Sequence, residues 1–308
     1  MTRILVTGVN GQLGCEIARL LGNDEQVRLA DRKQCDMNDL PQLRRTIANM
    51  KPALIINTAA YTAVDAAESD EATAMRVNAE APAVMANELR RYGGSLIHFS
   101  TDYVFDGEKR QPYRESDSPA PLSVYGRSKL AGETAIVASG VSHLIFRTAW
   151  LYSHRARNFV LTMLRLFREQ PLVRVVDDQI GTPTYAADVA RFINDRVVNS
   201  DGDRFEDFIA RRAGVYHLCN RGCTTWFGFA QAILDGARTT PALAATLGSV
   251  SLVPIASWQY QTAAARPRYA VLDSSLAQTV FHDALPDWRL SMRACLDRIA
   301  VEMQGLGR

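Results

Sequence analysis

Short apolar runs alternate with helix-period stretches through the first half of the chain. Ile4-Leu5-Val6 reads as a strand and Gln12 to Leu21 as a helix with one apolar face. Val27-Arg28-Leu29-Ala30 is a second strand, and Leu40 to Met50 a second helix. Ala53-Leu54-Ile55-Ile56 is a third strand, followed by a long helix over Ser69 to Arg91. Ser95 to Phe99 is a fourth strand, Ser123 to Ala138 a helix, and Ser142 to Phe146 a fifth strand. Strands alternating with helices predict a parallel sheet covered on both faces. The expected fold is α/β, a doubly wound, Rossmann-type sheet.

The second half is less regular. Phe159 to Glu169 has a helix period and Leu172 to Val176 a strand pattern. A turn at Gly181-Thr182-Pro183-Thr184 leads into a helix from Ala186 to Val198. Asp201 to Arg212 is polar and reads as a surface insertion. Val215 to Leu218 is a strand and Thr225 to Leu234 a helix. Residues 1–148 are expected to form a dinucleotide-binding domain. Residues 149–308 are expected to form mainly a smaller substrate domain, with about 172–200 returning to the first sheet.

Composition narrows the function classes. The chain has 308 residues, a formal net charge of +2 and 47% hydrophobic residues. Its basic residues are scattered, which gives no footprint for nucleic acid or an anionic membrane. No apolar run approaches the roughly 18 residues of a membrane span. Five cysteines at scattered positions argue against a disulfide framework, and Cys219 and Cys223 lack a second pair for zinc. Met1-Thr2-Arg3 runs straight into the first strand, so no signal peptide and a cytoplasmic location are expected.

Ligands of doubly wound sheets sit at the carboxyl ends of the strands. Gly8, Gly11 and Gly14 follow the first strand and open the first helix. Gly8 suits a tight turn, Gly11 a close approach by pyrophosphate, and Gly14 helix–strand packing. The amides at the helix start then favour the anion. The G-x-x-G-x-x-G spacing puts the middle glycine one position later than the usual dinucleotide fingerprint. Asp31 ends the second strand and can accept from ribose hydroxyls, while Arg32 and Lys33 can pair with the extra phosphate of NADP. NADPH and NADH both remain open. Thr58, Ala59, Ala60 and Thr62, small residues after the third strand, are candidate cofactor contacts.

Tyr125 and Lys129 are four residues apart on one helix face, about 6 Å from each other. A tyrosine titrates near pH 10, and a neighbouring ammonium lowers that value. Lys129 can also hold the nicotinamide ribose. Thr101, at the end of the fourth strand, can hydrogen-bond and polarise a substrate carbonyl. Thr101, Tyr125 and Lys129 are the candidate catalytic residues of a hydride-transfer enzyme.

The chain resembles the extended short-chain dehydrogenase/reductases over nearly its whole length. The resemblance is carried by the glycine loop, Asn57 to Glu68, Ser100 to Gly107, Tyr125-Gly126-Arg127-Ser128-Lys129, Phe146 to Trp150, Asp177 to Thr184 and Arg266-Pro267. It implies reduction of the C4 ketone of a nucleotide sugar, dTDP-4-dehydro-6-deoxy-L-mannose, to dTDP-L-rhamnose, with Tyr125 as proton donor. It further implies cofactor contacts from Gly11, Gln12, Leu13, Asp31, Asp36, Met37, Ala60, Tyr61 and Thr62. Asp102 and Trp150 match positions used at the sugar, and Arg266 falls where the nucleotide diphosphate can be held. Tyr61 stands where such enzymes often carry histidine. Some relatives dimerise through Mg2+ held by glutamates; Glu16 fits one such position, but Ala187 occupies another, which argues against a metal-linked dimer. The chain is expected to be a monomer or homodimer. A nucleotide-sugar epimerase and a non-catalytic regulatory subunit are the alternatives. A dehydratase is disfavoured because Thr101-Asp102-Tyr103 lacks the Asp-Glu pair that follows the threonine there.

Overall fold

The structure is a computed structural model, and it describes residues 4–22, 24–199 and 204–305. Six parallel strands form the main sheet. They are β1 (Ile4–Thr7), β2 (Val27–Ala30), β3 (Leu54–Asn57), β4 (Ser95–Thr101), β5 (Ser142–Thr148) and β10 (Gly214–His217). Their spatial order is β10-β5-β4-β3-β1-β2. The chain leaves β1 toward β2, then crosses back to β3 on the other side, so the sheet reverses direction between β1 and β3. That is where doubly wound sheets hold their ligands.

Helices α1 (Gln12–Leu21), α2 (Leu40–Met50), α3 (Val64–Ala67), α4 (Glu71–Met75), α5 (Ala81–Tyr92) and α6 (Val124–Ser139) lie between these strands in the chain. Asp39 caps α2 by accepting from the Gln42 amide, and Ser123 caps α6 by accepting from Gly126. The single helix expected over Ser69 to Arg91 contains a π-turn, Arg76–Glu80, between α4 and α5. Val6, Ile17, Ile56, Ile97 and Phe146 form one core with β10 and the helices below. Leu5, Leu43, Ile55, Met85 and Leu89 form another core with α2 and α5.

The remaining elements are β6 (Leu151–Tyr152), α7 (Phe159–Glu169), β7 (Leu172–Val176), β8 (Ile180–Gly181), β9 (Thr184–Tyr185), α8 (Ala186–Ile193) and α9 (Phe205–Arg211). After β10 come β11 (Thr224–Thr225), α10 (Trp226–Arg238), α11 (Pro241–Ala244), β12 (Ser251–Ile255), α12 (Ser275–Phe281) and α13 (Trp288–Gly305). Tyr152, Phe167, Phe229, Ile233, Trp288 and Leu296 fill a separate core shared by α7, α10 and α13.

Two expectations change. The segment 172–200 divides: β7 pairs with β12 in its own two-stranded sheet, while α8 returns to the main core through Val189, Phe192 and Ile193. The stretch Asp201 to Arg212 is not a polar insertion where it is described. Phe205, Phe208 and Ile209 are buried in the main core, because their spacing along α9 puts them on one face among the charges. Residues 201–203 lie outside the described residues. Among the described residues no helix is long and apolar enough to cross a membrane.

Candidate active site

Gly8 takes a φ of +72°, and a Cβ there would stand 2.6 Å from the Ala59 nitrogen. Gly14 lies against the Gly8 carbonyl, 2.2 Å from where a Cβ would be. These two glycines lock β1, α1 and the β3 end together. Gly11 differs: a Cβ would meet only the Gly8 carbonyl, at 3.2 Å, so its outer side is open. Gly11 caps α1 without any side-chain hydrogen bond, and the buried Oε1 of Gln12 has no partner. Free amides, an open glycine and the positive end of a ten-residue helix make a cradle suited to pyrophosphate. Leu13 is buried in the core, so only its backbone can face a ligand.

Beyond the cradle, Asn10, Asp31, Arg32, Lys33 and Asp36 line a cleft of about 420 Å³. Asp31 Oδ1 accepts from the Lys33 and Gln34 amides, shaping the turn. Arg32 lies 3.5 Å from Asp36 with its side chain largely exposed. The Met37 side chain is in the core. Tyr61 is fixed through its backbone: its amide donates to Asn78 Oδ1 at 2.8 Å, and its carbonyl accepts from Asn78 Nδ2 at 3.0 Å. Ala60 and Thr62 flank it, half-buried and exposed. Asn78 comes from the π-turn and also donates to Ser128 on α6. Gly132 on α6 makes room for the Asn78 carbonyl.

Thr101, Asp102 and Tyr125 converge at the end of β4. The Thr101 hydroxyl donates to Asp102 Oδ1 at 2.9 Å, accepts from the Tyr103 amide at 3.2 Å, and lies beside the Tyr125 phenol. Desolvation pushes the Tyr125 phenol up to about 12, while the bond to Thr101 pulls the other way. Asp102 is buried, its Oδ2 has no partner, and burial holds its carboxyl up at about 7. Tyr103 meets Tyr125 edge-on, with ring centroids 5.6 Å apart.

Lys129 is 2% exposed. Its Nζ donates to the Phe99 carbonyl at 2.6 Å and lies 3.2 Å from His98 Nε2. Burial draws it down to about 8. The ammonium expected beside the phenol is thus turned into the sheet, and the Tyr125 phenol is raised rather than lowered because burial dominates. Behind Lys129, Glu133 takes a two-pronged ion pair from Arg147, both buried.

Trp150 stacks on Trp226, with centroids 3.6 Å apart and planes 9° from parallel. Arg266 Nη2 donates to Asp65 Oδ2 at 2.7 Å, and its charge reaches the Tyr103 phenol. Glu16 is buried and met by Arg298 at 3.1 Å, Arg19 at 3.2 Å and His154 at 3.2 Å. The two arginines come from within the chain and both meet Oε2 of the carboxylate, while burial keeps His154 toward its neutral form. Asn57, His98 and Trp226 were not among the candidates read from the sequence. Asn57 and His98 belong to strands whose apolar pattern hides polar members, and Trp226 meets Trp150 only through the fold.

A glycine cradle at the sheet's switch point, with a Tyr-x-x-x-Lys helix beside a strand-end threonine, defines a short-chain dehydrogenase/reductase type of nucleotide-cofactor fold. The model of the RmlD substrate binding domain matches residues 1–301, and the chain belongs to that family. It is 43% identical to a dTDP-4-dehydrorhamnose reductase of Burkholderia thailandensis over 294 residues, covering 96% of this chain and 98% of that one. Among solved structures, it is similar to a dTDP-4-dehydrorhamnose reductase of Clostridium acetobutylicum. The TM-score is 0.86 at 32% identity, with 96% and 99% of the chains covered. It is also similar to the Bacillus anthracis enzyme of the same name, solved in complex with NADP. There the TM-score is 0.84 at 33% identity, with 98% and 99% covered.

Proposed function

We propose that the chain is an NAD(P)H-dependent oxidoreductase that reduces the C4 ketone of dTDP-4-dehydro-6-deoxy-L-mannose to dTDP-L-rhamnose. The observation that carries this reading is the Thr101–Tyr125 pair at the end of β4, one strand away from the β1–β3 switch and its glycine cradle. It is supported by 43% identity to a reductase of that name along nearly the full length of both chains.

A bound nicotinamide cofactor would supply hydride to C4. Gln12 and Leu13 would present backbone amides to its pyrophosphate beside the open face of Gly11, whose own amide donates to the Gly8 carbonyl, and Asp31, Asp36 and Met37 would border the adenosine end. Ala60, Tyr61 and Thr62 form the wall that Asn78 holds in place. Thr101 hydrogen-bonds the C4 oxygen, polarising the carbonyl. Tyr125 gives that oxygen its proton, since its phenol is protonated at neutral pH. Asp102 and Trp150 border the sugar, with Trp226 backing the indole. Arg266 stands at the rim, half-buried, where it can meet a diphosphate. The substrate's anionic handle supplies binding energy remote from C4, which positions the reacting carbon.

Residues 1–148 serve the cofactor and 149–308 mainly the substrate, with α8 and β10 returning to the main sheet. The chain works as a monomer or homodimer. Five free cysteines suit a reducing, cytoplasmic setting. The test is the ratio of NAD(P)H consumed to sugar product formed. A ratio near one supports net reduction. Many turnovers on a trace of cofactor point instead to an epimerase, and binding without turnover to a regulatory subunit.

A further inference from the structure

Thr101 ends β4 and caps the short turn Asp102–Val104 that follows it. Its hydroxyl oxygen accepts from the Tyr103 amide at 3.2 Å, which fixes the side chain in place. The same hydroxyl has one proton to give, and in the free chain it goes to Asp102 Oδ1 at 2.9 Å. Both side chains are buried, and Asp102 Oδ2 has no hydrogen-bond partner. A buried polar atom without a partner calls for an explanation.

A hydroxyl has two lone pairs and one proton. In Thr101 the Tyr103 amide takes one lone pair. A ketone oxygen can only accept, so Thr101 must offer its proton to polarise C4. That proton cannot serve Asp102 and the ketone at once. An ionised Asp102 holds the Thr101 proton and leaves a lone pair facing the ketone oxygen. A neutral Asp102 gives its own proton to the second lone pair and frees the Thr101 proton for the ketone. A carboxyl kept neutral by an apolar site can donate in this way.

We propose that Asp102 is a positioning residue that works as a neutral acid, donating to Thr101 so that the Thr101 hydroxyl turns its proton to the C4 oxygen. The inference rests on the reductase reading of the same site. Asp102 keeps its proton through the reaction, and the one transferred comes from Tyr125. The surroundings favour the neutral form. Only backbone amides and the Thr101 hydroxyl support the charge, and burial outweighs them. Tyr125 faces Asp102 from α6, and Cys219, after β10, lies within reach of its charge; burial keeps both protonated. Tyr103 beside it is held protonated too. Arg266 and Asp65 reach Tyr103 and are paired with each other. Lys129, also on α6, directs its Nζ to the Phe99 carbonyl instead.

The experiment is infrared spectroscopy of the full, substrate-free chain carrying 13C-labelled aspartate carboxyls, from about pH 5 to about pH 9. The expected result is a carboxylic-acid C=O band that persists to neutrality, where ordinary aspartates are ionised, and that is missing in Asp102→Asn. No such band above about pH 5 means an ordinary carboxylate and overturns the proposal whatever the turnover. That reading needs only the parent chain, so it stands even where the variant folds poorly. The second measurement is the pH profile of kcat. An amide carries an N–H that does not titrate, so the alkaline limb of Asp102→Asn should lie about one pH unit or more above the parent's, whatever the level of kcat. Removing a negative charge near Tyr125 and Lys129 makes their protons easier to lose and moves a limb of theirs down. An upward move therefore belongs to Asp102, and an unmoved or lowered limb overturns the proposal. The infrared band is read without substrate, so a failure of the proposed reduction reaction would be seen separately, in the NAD(P)H-to-product ratio.

Discussion

Trp150 and Trp226 are stacked face to face within residues 149–308, and Gly181 is what lets them. Trp150 holds a φ of +45°, a conformation uncommon for a bulky residue. A Cβ on Gly181 would stand 2.4 Å from its indole. Gly181→Ala must therefore shift the ring or the strand. A loss of about 1–3 kcal/mol in stability is expected, as for other overpacked sites. The KM for the nucleotide sugar should rise while cofactor affinity holds. Near-ultraviolet circular dichroism will follow the pair directly, since Trp226→Ala must abolish any signal from coupled indoles.

Tyr125→Phe keeps the ring that meets Tyr103 and removes only the hydroxyl beside Thr101. Turnover should fall by about 10²–10⁴-fold, the usual range for a positioned proton donor. Cofactor binding measured by fluorescence titration should be unchanged. Turnover within threefold of the parent would remove Tyr125 from the chemistry.

Asp102 makes stability depend on pH in a direction opposite to most carboxylates. Its ordinary value is 3.8, and burial lifts it to about 7 in the folded chain. The unfolded chain therefore ionises it first. Below its ordinary value there is no penalty, and between there and neutrality the folded state loses ground steadily as pH rises. Asp102→Asn removes that loss while retaining an oxygen for the Thr101 hydroxyl. Urea midpoints should show the variant gaining on the parent between about pH 4.5 and pH 8, whatever its pH-independent cost. A constant difference across that range would show that Asp102 does not titrate as described.

Cofactor choice is expected to be loose. Asp31 spends one oxygen on its own turn, and Arg32, largely exposed, faces the same cleft. Both NADH and NADPH should serve, with less than about a thousandfold between their kcat/KM values, or roughly 4 kcal/mol. Arg32→Ala should weaken NADPH more than NADH, and Asp31→Ala should shift preference toward NADPH. Paired steady-state assays will show either trend.

The pairing of Glu16 with Arg298 and Arg19 bears on metal dependence. A carboxylate already met by cations of its own chain is poorly placed to take a divalent ion. Dialysis against EDTA should leave both the molar mass by light scattering and the turnover number unchanged. A halved mass would reinstate a metal-linked dimer.

Much of the fold was legible because most elements carry their own signal. The bounds of α2 follow from Asp39 and an apolar face, and β1 to β5 from short runs rich in apolar residues. Other features needed the fold. β12 contains Pro254 and reads poorly as a strand, yet it pairs along the whole of β7. α9 buries Phe205, Phe208 and Ile209 within a stretch whose charges dominate any composition average. The glycine loop and the Tyr125–Lys129 spacing were readable because they are local. The inward turn of Lys129 was not, since it depends on a register that sets His98 beside Asn57.

The π-turn at Arg76–Glu80 gives this chain a way to lose its site without losing any site residue. A π-turn holds one residue more than the α-helical ladder needs. Removing a single residue there would restore regular helix and rotate everything before it by about 100° relative to α5. Asn78 would swing away from Tyr61 and Ser128, and the β3 wall would come unfastened. When related chains are compared, a one-position gap at this turn is therefore a mark of altered function, even where the glycine loop, Thr101, Tyr125 and Lys129 all align.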